Sequence, residues 1–145
     1  MLAAAANAAG ATAYRVGFVP DDPKTLITTI EDQLIRADLV ITTGGVSVGA
    51  YDVVKEALGR MGSVAFEKVA MQPGMPQGFG FVGPDSTPIF TLPGNPVSAF
   101  VSFEMFVRPV LRRMLGLEPL HRPTVRAVLM EPIDSPPGKR QFLRG

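Results

Sequence analysis

The stretch Leu92-Pro93-Gly94-Asn95-Pro96-Val97-Ser98-Ala99 reads as a tight turn feeding a capped helix. Asn95 suits the N-cap, and Pro96 suits the first helical position, where its missing N–H is no loss. Upstream, Pro88-Ile89-Phe90-Thr91-Leu92 has the texture of a buried strand. The turn therefore sits at the carboxyl end of a strand, the place where open α/β sheets hold their ligands. Helix N-termini built this way leave backbone N–H groups to receive an anion.

The same construction occurs a second time. Asp38-Leu39-Val40-Ile41-Thr42 is a short apolar run of strand type, followed by Thr43-Gly44-Gly45-Val46-Ser47-Val48-Gly49 and then by residues 51–58, whose apolar positions recur at helical spacing. If the two strands are parallel neighbours, both glycine-bearing turns face one crevice, and a phosphate-bearing ligand can lie across two helix N-termini.

Outward from these turns the chain alternates helix and strand. Residues 2–9 form a helix stopped by Gly10, and Thr12, Tyr14, Val16 and Phe18 alternate as in a strand. Asp21-Asp22-Pro23 starts a helix whose Leu26, Ile27, Ile30 and Leu34 share a face. A helix over 51–61 ends near Gly62, a strand covers 64–71, and the Gly- and Pro-rich segment 74–83 holds a hairpin arm. The helix from Pro96 runs to about Leu115, with Phe100, Phe103, Val107, Val110 and Met114 on its apolar face and a kink at Pro109. Beyond Pro119, residues 124–130 alternate like a strand and Ser135-Pro136-Pro137-Gly138 is a turn, which reads as the start of another domain. Because an α/β sheet ordinarily opens with a strand and this chain opens with a helix, a preceding strand is expected to be missing.

Composition narrows the classes. The 145 residues contain no cysteine, which removes disulfides, thiol catalysis and thiolate metal sites. No apolar run approaches the roughly 20 residues of a membrane-spanning helix, and residues 2–9 lack the basic flank of a secretory signal, so a cytoplasmic protein with no membrane partner is expected. Net charge is +1 but uneven: residues 101–145 carry eight Lys/Arg against four Asp/Glu, and residues 1–100 carry six against nine. Arg108, Arg112 and Arg113 fall near a helix end, where cations complement the dipole, and they read as a solvated face; with no aromatic interleaving, no nucleic-acid partner is expected.

Two motif matches are set aside. Gly78-Phe79-Gly80-Phe81-Val82-Gly83 spells the dinucleotide fingerprint but runs into Pro84-Asp85-Ser86, where no helix can receive a pyrophosphate. Gly45-Val46-Ser47-Val48-Gly49 matches the nucleophile elbow, and Asp85 and His121 would complete a serine hydrolase in the order Ser, Asp, His. His121, the only histidine, lies in a Pro-rich linker and reads as a solvated residue, so the hydrolase is kept as an alternative from a different reaction class.

The residues 42–52, then Lys68, then Gln72-Pro73-Gly74-Met75-Pro76, then 92–99 resemble the successive motifs of the molybdopterin molybdenumtransferase family, which includes the E domain of gephyrin. The resemblance covers nearly the whole chain. It implies the last step of molybdenum cofactor synthesis: molybdate, the substrate anion, enters the dithiolene of adenylylated molybdopterin, with Mg²⁺-dependent release of AMP. It implies a homodimer of multidomain subunits whose site is completed by acidic residues from the other subunit. It implies a three-layer α/β/α fold with a mostly parallel sheet over residues 1–118, truncated at its N-terminal strand, and the start of a carboxyl-terminal β-domain over 119–145. A chain so truncated is expected to bind pterin weakly and not to catalyse insertion alone. Adenylylation of molybdopterin and a non-catalytic binding module are the further alternatives.

Residue by residue, the resemblance assigns substrate binding to Gly44, Gly45, Ser47, Gln72, Pro76, Pro93, Gly94, Asn95, Pro96 and Ser98. Asp52, one turn into its helix, is a Mg²⁺ ligand or positions water, although it also reads as a surface acid favoured by the helix dipole. Lys68 covers a phosphate or molybdate oxygen, or else snorkels from a strand. The family pattern at 72–76 is Lys-Pro-Gly-Lys-Pro, whereas this chain has Gln72 and Met75, which removes two charge-assisted contacts. Arg140 and Arg144 resemble basic positions at the β-domain's start and stand as candidates to compensate.

Overall fold

The computed structural model describes residues 1–17, 19, 22–44 and 50–143, with side chains from residue 53 onward in the helix that starts at Ala50. In chain order the elements are α1 (Leu2–Ala8), α2 (Pro23–Leu34), β1 (Val40–Thr43), α3 (Ala50–Met61), β2 (Gly62–Lys68), β3 (Met71–Gln72), β4 (Pro76–Val82), β5 (Thr87–Leu92), α4 (Pro96–Ser102), α5 (Arg108–Met114) and β6 (Arg140–Gln141), with a π turn at Phe103–Val107 joining α4 to α5.

The main sheet has the order β1-β5-β4-β2, and β3 pairs with β6 in a small second sheet. β1 and β5 are parallel, with Val40 opposite Ile89 and Thr43 opposite Leu92. β4 runs antiparallel to both β5 and β2. Among the described residues of this four-stranded sheet, β1–β5 is the one parallel pair, so the sheet is mixed and not mostly parallel as expected. The reason is local: the chain turns tightly between β4 and β5, with Gly83 at φ +73° and the Ser86 N–H donating to the Gly83 carbonyl at 3.2 Å, and so short a connection can only return antiparallel.

Side-chain alternation along β5 gives the sheet two apolar faces. Ile89 packs with Ile30 of α2, Val54 and Leu58 of α3, and Val82. Phe90 and Leu92 point the other way, into a core with Ala6, Ala9, Ala99, Phe103, Val107 and Leu111. Helices on both faces make the three-layer α/β/α arrangement that was expected.

The α4–α5 stripe explains the π turn. Its buried members are Ala99, Phe103, Val107 and Leu111, each four residues apart. On a regular α-helix a four-residue step overshoots a full turn by about 40°, so such a stripe would wind off the sheet. The wider turn absorbs the drift: the Arg108 N–H reaches back five residues to the Phe103 carbonyl. Pro109, which has no N–H to give, falls in the first turn of α5. The extra residue also rotates the buried face, leaving Phe100 and Met114 of the expected stripe exposed.

Several expectations change. Of the strand expected on Thr12 to Phe18, residues 12–17 form none, because no described strand lies alongside them, and Phe18 lies outside the described residues; β1 pairs only with β5 among the described residues. Residues 124–130 form none either, and Val125, Val128 and Met130 are at least 90% exposed. A strand's alternation is only an offer of pairing, and these segments find no ladder. The arginines near the helix end are not simply a solvated face. Arg112 donates to the carbonyls of Pro119 at 2.6 Å, Glu118 at 2.8 Å and Ala9 at 3.4 Å, tying the chain after α5 to the end of α1. Arg108 is buried beside Glu104, whose carboxylate also takes a bidentate pair from Arg122 at 2.7 and 2.9 Å; that pair raises the Arg122 guanidinium's pKa.

Phe103→Ala should cost about 3–5 kcal/mol, since the ring is fully buried where the π turn meets the sheet; urea unfolding measures it. At the start of α2, the Asp22 carboxylate accepts from the Thr25 hydroxyl at 2.6 Å and the Thr25 N–H at 2.8 Å, and these bonds lower its pKa below 3.8. A depressed carboxylate pKa gives stability that is present above about pH 3.8 and is lost as pH falls through the lower, folded value. Acid titration of the unfolding midpoint should therefore show a component below pH 3.8 that Asp22→Asn abolishes.

Candidate functional site

The parallel β1–β5 register puts both glycine turns at one end of the sheet. Thr43 lies beside Leu92, and the next residue, Gly44, donates its N–H to the Leu92 carbonyl at 3.1 Å. Gly94 comes so near that a Cβ added to it would lie 3.3 Å from the Gly44 Cα. Gly44 itself has φ +84°, a conformation L side chains rarely adopt. Beneath the turns the Thr42 hydroxyl donates to that of Thr91 at 3.1 Å, so the buried polar group at the base of the pair is satisfied. Gly44 and Gly94, where the two turns leave their strands, are thus in contact, the placement expected if the strands were parallel neighbours.

Asn95 caps α4, but the cap changes what the helix end can do. Its Oδ1 accepts from the Val97 N–H at 3.0 Å and the Ser98 N–H at 3.1 Å, while its carbonyl accepts from Ala99 at 2.8 Å. Pro96 has no N–H. The first-turn donors of this helix are therefore engaged within it, which corrects the expectation that they point at an anion. What faces outward is the turn itself, with Gly94, Asn95 and Pro96 exposed and Pro93 buried beneath.

A second group of candidates lies on the arm. Lys68 ends β2 in register with Pro76, and the Val69 N–H donates to the Met75 carbonyl at 2.8 Å, closing a loop over 69–75. Within it, β3 runs beside β6, setting Met71 opposite Arg140 and Gln72 opposite Gln141. Arg140 is thus next to the loop that carries Gln72, with both side chains exposed. Because Gly78 of β4 pairs with Thr91 of β5, the start of β4 lies at the same sheet end as the glycine turns. Gly74 packs against α4: a Cβ there would meet the Ser102 Oγ at 2.7 Å and the Ser98 carbonyl at 3.4 Å. The loop and the capped helix thus form adjoining walls.

Gly45, Ser47, the Asp52 side chain and Arg144 lie outside the described residues. The hydrolase alternative fails on what is described. Asp85 sits in the turn before β5, a full strand or roughly 20 Å from Thr43 and Leu92 at the other end of the pair. The fingerprint glycines lie on and just after β4, which turns directly into β5 without a helix; Gly78 is there because a Cβ would meet Thr91 and the Phe66 ring at about 3 Å. Two polar residues carried no motif in the sequence reading: Gln77 and Ser102. Their signal was a polar side chain at a half-buried strand position and another at a fully buried helix position, and each needs a partner.

Comparison with known proteins gives a match over residues 1–113 to a family described as "Probable molybdopterin binding domain". The chain belongs to this molybdopterin-binding domain family. It is 53% identical, over 99% of its length, to molybdopterin molybdenumtransferase 2 of Mycobacterium tuberculosis, of which it covers 36%. It is 39% identical over 70% of its length to gephyrin of Dictyostelium discoideum, covering 16% of that protein. The structure of a molybdopterin biosynthesis moeA protein from Pyrococcus horikoshii OT3 superposes with TM-score 0.74 at 25% identity, over 97% of this chain and 31% of that one. The chain thus spans about a third of the length of the molybdenumtransferases it matches.

At this end of the sheet the Gly94 backbone is exposed and the exposed Lys68 and Arg140 carry positive charge beside the 69–75 loop, a chemistry able to receive an anion. Among the described residues no three His, Asp or Glu side chains come together. Asn95→Ala should cost about 1 kcal/mol by orphaning the Val97 and Ser98 N–H groups, whereas Asn95→Asp should nearly keep the wild-type unfolding midpoint in urea.

Proposed function

We propose that this chain is the pterin-binding part of a molybdopterin molybdenumtransferase, which inserts molybdate into the dithiolene of adenylylated molybdopterin with release of AMP. The observation that carries the reading is the contact of the two glycine turns, Gly44 on Leu92 and Gly94 on Gly44, beside the 72–76 loop. The names of its relatives support the reaction. Gly44, Gly45, Ser47, Pro93, Gly94, Asn95, Pro96 and Ser98 would line the ligand's phosphate and pterin, and Gln72 and Pro76 the molybdate, with Lys68, Arg140 and Arg144 supplying positive charge.

Asp52 is the residue assigned to the chemistry, as a ligand of Mg²⁺ or as the group that positions water; Mg²⁺ would stabilise charge on the leaving phosphate. Its remaining ligands would come from substrate oxygens or from other parts of the protein. In the whole protein, residues 1–118 form the α/β domain and 119–145 lead into a β-domain. The exposed Val125, Val128 and Met130 support that assignment, because such a run needs a sheet to join. A cytoplasmic homodimer with neither nucleic-acid nor membrane partners completes the proposal; no described helix is long and apolar enough to cross a membrane.

The test is AMP release from adenylylated molybdopterin on adding molybdate and Mg²⁺ to the full protein that carries this chain. Asp52→Asn should bind the pterin as wild type does and slow release on the order of a hundredfold. Unchanged turnover would remove Asp52 from the mechanism, and pyrophosphate release from molybdopterin and ATP would make the protein an adenylyltransferase instead.

A further inference from the structure

The 72–76 loop is held by two side chains that are neither turn residues nor cations. The Gln77 Nε2 donates to the Gly74 carbonyl at 2.6 Å and to the Ser102 Oγ at 2.6 Å. A carbonyl only accepts, so the amide nitrogen must face it. Ser102 is fully buried at the end of α4, and Gly74, at φ +95°, has no room for a side chain against it. The loop is thereby pinned to the helix whose N-cap forms the neighbouring wall.

This pin sets the direction of one peptide group. Carbonyl and N–H of a trans peptide point opposite ways, and the Gly74 carbonyl is directed inward at Gln77. The N–H of the same peptide belongs to Met75, an exposed residue, and among the described residues it makes no hydrogen bond. Met75 is also where the family pattern has a lysine.

We propose that Gln77 and Ser102 are positioning residues that turn the Met75 N–H outward as a neutral donor for the molybdate oxyanion, in place of the ammonium this loop lacks. The inference rests on the proposed molybdate insertion and adds the means by which this chain recognises the anion. A backbone N–H held in advance needs no reorganisation to meet a tetrahedral oxyanion, and a hydrogen bond to a charged acceptor is of the stronger kind.

The experiment titrates molybdate into the full protein by calorimetry and follows its KM in the AMP-release assay, for wild type, Gln77→Leu, Ser102→Ala and Gln77→Leu with Met75→Lys. Freed from its pin, the loop should lose the donor. Molybdate KM and Kd should rise about tenfold or more in Gln77→Leu, and less in Ser102→Ala, which keeps the Gly74 bond, while the KM for adenylylated molybdopterin stays constant. Met75→Lys should restore molybdate affinity in the Gln77→Leu background, which repair of a merely structural defect would not do. Equal loss for both substrates, no loss for either, or no rescue by lysine would overturn the positioning role. Wild-type protein that binds pterin adenylate but gives no molybdate response would instead overturn the insertion reading on which this rests.

Discussion

The parallel pairing of β1 with β5 is the constraint on which the rest depends. Because Thr43 and Leu92 are opposite each other, the residues that follow them leave the sheet at the same height, and the Gly44 N–H closes onto the Leu92 carbonyl. A register slip of one residue would exchange Ile89 with Phe90 between the two apolar faces and empty both cores at once. The packing of α1, α4 and α5 on one face and of α2 and α3 on the other therefore holds the turns in contact.

The remaining walls are attached to this pair by short polar contacts as well as by apolar packing. β4 carries the arm with Lys68 and the 72–76 loop to the same sheet end, and Gln77 fastens the loop to α4. Arg112 and the Glu104–Arg122 pair fasten the chain after α5. Such contacts are directional. They specify where a loop lies while adding only modest stability, a suitable division of labour in a site that must admit a large anionic ligand.

Local signals in the sequence were read well where the residue acts through its own backbone. Asp22 and Asn95 cap the helices they precede, Gly10 has positive φ just beyond a helix end, and Pro109 marks the disturbed segment of the α4–α5 helix. The α/β class also followed from the pattern of strand, glycine turn and helix, whereas the neighbouring placement of the two turns was conditional on a parallel pairing that the structure supplies. The strand assignments did not hold over 12–17 or over 124–130, because alternation reports a willingness to pair and not the presence of a partner. The buried stripe of α4 and α5 was misplaced by one residue at its ends, since the π turn that rotates it answers to the sheet beneath and has no residue signature of its own.

By itself, then, the sequence determined the caps, the stops, the family resemblance and the departure at Gln72 and Met75, since each is a property of a few consecutive residues and their permitted dihedrals. Only the tertiary structure decided which strands are parallel, that the donors of the Asn95 helix are engaged inside it, and that Gln77 meets Ser102 from 25 positions away. Those outcomes depend on which hydrogen-bonding groups are brought within about 3 Å of each other, and that is settled by burial of two apolar cores, not by any local run of residues.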